Sequence, residues 1–278
     1  MVAKIDCRIR PMLMTDVPQA MLLVEAAHWN QTEKDWWIFL NTPGINLIVE
    51  FEHQVIASIT SIDYHEFVWI AMVLVHPEFR RKGIASMMMD AMLQSYPDRN
   101  LGLDATPQGA KVYEHFGFRA VHHLTRWRWN KTDTIMPEPT TRPDDENIQK
   151  SNWTFFDQKV FGADRTMILQ WLSSEYPDRI NALDDHNFIL GRQGRTASQI
   201  GPLTAESESK AYRLFTSQWI THYREPLIVD AFDQSSWNAM LEHAGFEAER
   251  KFIRMQRGGT LSWGIPENQF AIAGPELG

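Results

Sequence analysis

The spacing of apolar and polar positions divides the first 130 residues into short elements. "CRIRPM" (7–12) reads as a strand. Asp16, with Gln19 three residues on, has the spacing of a helix N-cap and capping box, and Val17, Ala20, Met21 and Val24 follow at helical spacing. "TEKDWWIFL" (32–40) predicts a second helix. "NLIVEFEHQVIASITSI" (46–62) predicts two strands around a turn near His53–Gln54, and "EFVWIAMVLV" (66–75) a long strand apolar on both faces. Ile84, Met87, Met88, Ala91 and Met92 then mark an amphipathic helix that ends before Pro97. "LGLDA" (101–105) predicts a strand, and "PQGAKVYEHFG" (107–117) a helix closed by Gly117. "FRAVHHLTRWRW" (118–129) predicts another strand. The order β-α-α-β-β-β-α-β-α-β predicts an α/β (α+β) fold: a mixed, mostly antiparallel sheet flanked by helices.

Residues 131–150, "KTDTIMPEPTTRPDDENIQK", interrupt this pattern with proline, threonine and charge, and predict a linker. The chain then repeats itself. "GLDATPQGAKVYEHFGFRAV" (102–121) and "IVDAFDQSSWNAMLEHAGFEAE" (228–249) both run strand, Asp-Ala, polar turn, helix, Gly-Phe, strand, with the Gly-Phe pairs 128 residues apart. This predicts a tandem duplication, with domains at 1–130 and 151–278 joined by 131–150.

Composition narrows the function. A net charge of −8 leaves no basic surplus for nucleic acid. A single cysteine, Cys7, rules out a disulfide framework within the chain and a multi-thiolate metal site. Charges at the start, where a signal peptide needs an apolar core, and the lack of a membrane-length apolar run lead to the expectation of a cytoplasmic protein without membrane or metal partners.

Several stretches have a plain reading. "MMMDAM" (87–92) is core packing, and "HH" (122–123) alternates faces, so a zinc pair there is not expected. "TRWRWN" (125–130) is strand alternation, and "FGADR" (161–165) reads as a turn with an exposed ion pair.

"VHPEFRRKGIAS" (75–86) is different. It leaves a strand, places Arg80, Arg81 and Lys82 in a row, and starts a helix on Gly83. Unpaired N–H groups and a partial positive charge at a helix start suit an anion such as a pyrophosphate, and glycine lets it approach closely. A solvated basic turn fits the same residues.

"VHPEFRRKGIA" resembles the acetyl-CoA signature of the GNAT acyltransferases, Arg/Gln-x-x-Gly-x-Gly/Ala, with Arg80, Gly83 and Ala85 in the fixed positions. "VYEHFGF" (112–118) resembles the family's second signature. "HWNQTEKDW" (28–36), "LDATPQGAKVYEHFGF" (103–118), "FGADR" and "IGPLTAES" (200–207) resemble the two-domain, YitH-like branch. The resemblance implies acetyl-CoA as co-substrate. It places the cofactor against the backbone of Met72, Val73 and Val75 and in the turn of Arg80, Arg81, Lys82, Gly83, Ile84, Ala85 and Ser86. Thr106, where many relatives carry Asn, and Tyr113 would complete the cofactor site. A backbone N–H near Met72 or Val73 would stabilise the oxyanion formed during transfer. Tyr113 is the implied acid for the leaving thiolate. For the catalytic base, Asp104 as a substrate-side carboxylate is favoured over His28, His65 and Glu66. The second copy has no such basic turn and carries Leu241 where the first has Tyr113, so it is expected to be degenerate. It would shape the pocket or a dimer contact, or merely buttress the first copy. The expected activity is acetyl transfer to a primary amine, a small molecule or amino-acid derivative, by a monomer or homodimer. A protein acceptor, or a CoA-binding regulatory protein without transfer, are the competing expectations.

Overall fold

The computed structural model describes residues 7–130, 152–222, 226–259 and 263–278; the predicted linker at 131–150 lies outside them. The first copy runs β1 (Arg8–Pro11), α1 (Val17–Ala26), α2 (Glu33–Asn41), β2 (Leu47–Phe51), β3 (Gln54–Asp63), β4 (Val68–Val75), α3 (Ile84–Ser95), β5 (Leu101–Ala105), α4 (Pro107–His115) and β6 (Arg119–Trp129), in the predicted order. The second runs α5 (Thr154–Phe161), α6 (Thr166–Glu175), β7 (Ile180–Asp184), β8 (Asn187–Arg192), β9 (Ser198–Thr204), α7 (Glu208–His222), β10 (Leu227–Phe232), α8 (Ser235–His243), β11 (Glu247–Arg257) and β12 (Gln269–Ala271).

Local detail departs from the sequence reading at the first helix. Asp16 makes no capping bond to α1. It accepts both guanidinium nitrogens of Arg10 at 2.8 Å and the Leu13 N–H, while Gln19 accepts the N–H of Val55. A nearby cation outcompetes a helix end for a carboxylate because the charge-assisted bond is the stronger one.

The two copies share one sheet, ordered β1-β2-β3-β4-β5-β11-β6-β10-β9-β8-β7, with β12 paired to β9. The last strands are exchanged. β11 of the second copy lies antiparallel between β5 and β6 of the first, and β6 in turn pairs with β10 of the second. The cores follow the strands. Trp127 and Trp129 of β6 pack with Leu214, Phe215 and Trp237 of the second copy, whereas Met255 of β11 packs with Phe118 and the α3 methionines of the first. A third core joins α1 and α2 to Ile168, Trp171, Phe188 and Leu190.

The duplication therefore yields two matching buried ion pairs. Asp104 of β5 accepts Nε and Nη2 of Arg254 at 2.9 and 2.8 Å, and Asp230 of β10 accepts Nε and Nη2 of Arg126 at 2.8 Å each. Arg126 and Arg254 are 128 residues apart, the interval of the Gly-Phe pairs. Each bidentate pair locks a strand of one copy to the aspartate of the other.

The copies also differ. In the second, β9 and β10 pair only over Leu227–Ser198 to Val229–Ile200. Beyond that point β12 enters beside them: Gln269 and Ala271 pair with Thr204 and Leu203, and Ile272 N–H donates to Asp230 C=O at 2.9 Å. The chain's own backbone thus fills the gap where β9 and β10 part.

Candidate active site

In the first copy the corresponding gap is open. β4 and β5 are parallel and pair only at Val68–Leu101 and Trp69–Gly102. On its other edge β4 carries a bulge: Ser58 faces Leu74 and Thr60 faces Ala71, so Met72 and Val73 stand opposite Ile59 alone. Met72 takes a φ of 50°, and its carbonyl accepts the Ser58 hydroxyl at 2.9 Å. The bulge bends β4 away from β5. A cavity of about 790 Å³, its open mouth included, occupies the split. Residues 70–73 form one wall and residues 103–106 the other. Past Trp69 the β4 edge facing β5 has no strand partner, which leaves backbone groups for an extended ligand to pair with.

Val75 ends the strand and the basic turn follows. Arg80 Nε donates to the Val75 carbonyl at 3.0 Å, which folds the turn back on β4. Arg81 and Gly83 both take positive φ, 60° and 80°. No side chain caps α3, and a Cβ at Gly83 would meet nothing within 4 Å. The helix start therefore faces open space with its donors available. Arg80, Arg81 and Lys82 are exposed, Ala85 and Ser86 half-buried, and Ile84 anchors the helix in the core. These residues and Val75 lie outside the cavity lining, which takes in Met72, Val73, Asp104, Thr106 and Tyr113.

Thr106 caps α4, its hydroxyl accepting the Gly109 N–H at 3.2 Å. About two turns on, Tyr113 leans over Gly109, where a Cβ would sit 3.3 Å from the tyrosine ring. The ring meets Phe118 edge-on at 6.1 Å, and burial pushes its pKa up to about 12. The hydroxyl is therefore a proton holder throughout the neutral range. Asp104 reaches the cavity with both oxygens on Arg254. Burial raises its pKa and the guanidinium opposes that shift.

The remaining lining was not evident from the sequence. Trp29 and Gln31 come from the α1–α2 loop, Arg126 from β6, Arg250 and Phe252 from β11, and Pro275 and Glu276 from beyond β12. The second copy thus supplies part of the wall. Arg250 was hidden because nothing in its sequence announces that β11 crosses over, and Glu276 because "GPELG" reads only as a turn. The other proposed bases lie elsewhere: His28, His65 and Glu66 are exposed and outside the lining. "FGADR" carries no exposed ion pair. Arg165 is buried and bidentate to Asp157 at 2.8 Å, while Asp164 accepts the Thr166 N–H. The guanidinium finds an acid from the preceding helix, a partner that adjacency in sequence hid. Among the described residues no group of three or more His, Cys, Asp or Glu side chains could hold a metal ion, and no helix is long and apolar enough to cross a membrane.

Two family models match. One, the acetyltransferase (GNAT) family, covers residues 12–118; the other, an acetyltransferase (GNAT) domain, covers residues 154–270. A 90-residue segment is 29% identical to the cysteine-rich protein 2-binding protein of Mus musculus, and likewise to that of Homo sapiens. It makes up 31% of this chain but only 11% of each of those proteins. Among solved structures, a candidate acetyltransferase from Pyrococcus horikoshii superposes with a TM-score of 0.81 at 19% identity, over 98% of this chain and 96% of that one. A tandem GNAT protein from the clavulanic acid biosynthesis pathway gives 0.64 at 15% identity, over 92% and 100%. These two likenesses concern the fold. With a GNAT match on each half of the shared sheet, the chain is a two-domain member of the GNAT acetyltransferase family.

Proposed function

We propose that the protein is an acetyl-CoA-dependent N-acetyltransferase whose acceptor is a primary amine on a small molecule or amino-acid derivative. The observation that carries this is the open notch between β4 and β5, with a free strand edge at Met72–Val73 leading to the uncapped start of α3. The fit to acetyl-CoA is physical. A pantetheine arm has amides that can add to a strand edge, and a pyrophosphate suits bare N–H donors beside Arg80, Arg81 and Lys82. When bound, acetyl-CoA supplies the activated acetyl group. The chain's own part is to hold the reactants in the split, to offer a backbone N–H near Met72 or Val73 to developing negative charge, and to keep a proton on Tyr113 Oη for the leaving sulfur. Asp104 belongs to the acceptor side of the cavity and, with Arg254, fixes the shape of that wall. The second copy's gap is filled by β12, which supports one cofactor site per chain.

The test is release of CoA thiol from acetyl-CoA against a panel of amines, amino acids, polyamines and peptides, with the acetyl-CoA melting shift as a parallel readout. Acceptor-dependent release is expected from the wild type and loss of both signals from Gly83→Trp, whose indole would stand in the open space before α3. A melting shift without release for any acceptor would indicate a CoA-binding protein instead.

A further inference from the structure

The cavity wall built by the second copy carries charge that its neighbours do not use. Glu276 is 3% exposed; its Oε1 accepts from Arg192, and its Oε2 accepts no hydrogen bond. Arg192 is itself shared, donating through its other terminal nitrogen to Asp35 of α2. One cation thus stands between two buried carboxylates and leaves a negative charge at the cavity. Gln31, 5% exposed and in the same lining, also has an oxygen with no donor. Arg250 lines the same cavity, and no carboxylate among the described residues forms an ion pair with it. Its neighbour across the ladder is Arg126, already committed to Asp230. Buried polar groups are rarely left unmatched, because each costs about 1–3 kcal/mol and a charged one more.

Glu276 is held in place. Its segment leaves β12 and is fixed by Tyr64 Oη donating to the Leu277 carbonyl at 2.7 Å and Trp69 Nε1 donating to the Pro275 carbonyl at 2.9 Å. The segment that closes the second copy's gap therefore delivers a carboxylate to the first copy's cavity.

Resting on the transferase reading above, we propose that the acceptor is an amine that also bears an anionic group, a carboxylate or a phosphate. Its ammonium is received by Glu276 Oε2 and Gln31 Oε1, and its anion by Arg250. Glu276 then takes one proton from the ammonium. The nitrogen bonds to the acetyl carbon as that carbon's bond to sulfur breaks. Tyr113 protonates the departing sulfur and is left as a phenolate. The second proton lost by nitrogen passes to solvent, from which the phenolate is reprotonated. Glu276 returns its proton to solvent, so one proton is released per acetyl group transferred.

The experiment pairs glycine with glycinamide, β-alanine with β-alaninamide, and phosphoethanolamine with ethanolamine, measuring thiol release by wild type, Glu276→Gln, Arg250→Met and Arg250→Lys. The wild type should prefer at least one anionic member over its neutral partner by tenfold or more in kcat/KM. The carboxylate and phosphate pairs tell the two anions apart. Glu276→Gln should lose most turnover on every amine. Arg250→Met should erase the preference mainly through KM, and Arg250→Lys should restore part of it. Each variant's acetyl-CoA melting shift should match wild type, which separates loss of the acceptor site from loss of fold. Equal use of neutral partners, a preference that survives Arg250→Met, or full turnover by Glu276→Gln would each overturn the proposal. So would a wild type that shifts with acetyl-CoA but accepts none of the six amines, whereas no shift at all would sink the transferase reading itself.

Discussion

At the scale of single residues, the site depends on groups whose surroundings set what they can do. Tyr113 is the plainest case. Burial alone lifts its pKa, so it remains an acid near pH 10, where a free tyrosine would be half ionised. Tyr113→Phe is expected to lower kcat by about 10²-fold or more, the usual worth of a positioned acid, while acetyl-CoA affinity stays close to wild type. Steady-state kinetics with a parallel binding titration decide this, and unchanged kcat would remove the acid role. The linkage has a definite sign. With a folded pKa above the unfolded one, the tyrosine's favourable contribution is complete below pH 10 and is lost as pH rises towards about 12. Tyr113→Phe should therefore soften the alkaline fall in melting temperature. Asp104 shows the opposite side of the same principle: both its oxygens are engaged, so it cannot leave Arg254 without stranding a buried cation.

At the scale of elements, two gaps in one sheet have had different fates. Both copies part their central parallel strands after a few pairs. In the first the parting stays open beside a bulge; in the second β12 occupies it. The fit of β12 rests on Gly201, with a φ of 142°, where an added Cβ would lie 1.9 Å from the Ile272 carbonyl oxygen. Gly201→Ala must push that segment away or strain β9, at a cost of about 1–3 kcal/mol. The expected outcome is a lower melting temperature together with reduced acceptor turnover, because Glu276 follows four residues after Ile272. An alanine variant with wild-type stability and turnover would show that the segment tolerates displacement.

At the scale of the whole molecule, the two copies are not independent bodies. β11 completes the first copy and β6 the second, and each contributes side chains to the other's core. A fragment of residues 1–130 lacks the strand that belongs between β5 and β6. It would expose one edge of β5, both edges of β6, and Arg126 without Asp230. Expressed alone it should not melt cooperatively, and co-expression with residues 151–278 should restore a cooperative transition and acetyl-CoA binding. A cooperative melt of 1–130 by itself, followed by calorimetry or circular dichroism, would show that the exchange is dispensable.

The sequence by itself determined the order of elements in the first copy, the duplication, and the part of the candidate site that is local in the chain. Strand periodicity, the Arg80–Ala85 turn and the Tyr113 helix are each written in a few consecutive residues, and local rules suffice to read them. The tertiary structure alone decided which strands are neighbours. Asp16 and Asp104 each take an arginine partner, and Arg165 an aspartate, that propensity could not choose, because ion pairing depends on distance in space. The plugging of the second gap joins residues about forty to seventy positions apart, and the crossing of β11 and the arrival of Glu276 and Arg250 in the first copy's cavity bring together residues more than a hundred positions apart. No spacing rule reaches that far, and the side of the cavity that would meet the acceptor is made almost wholly from them.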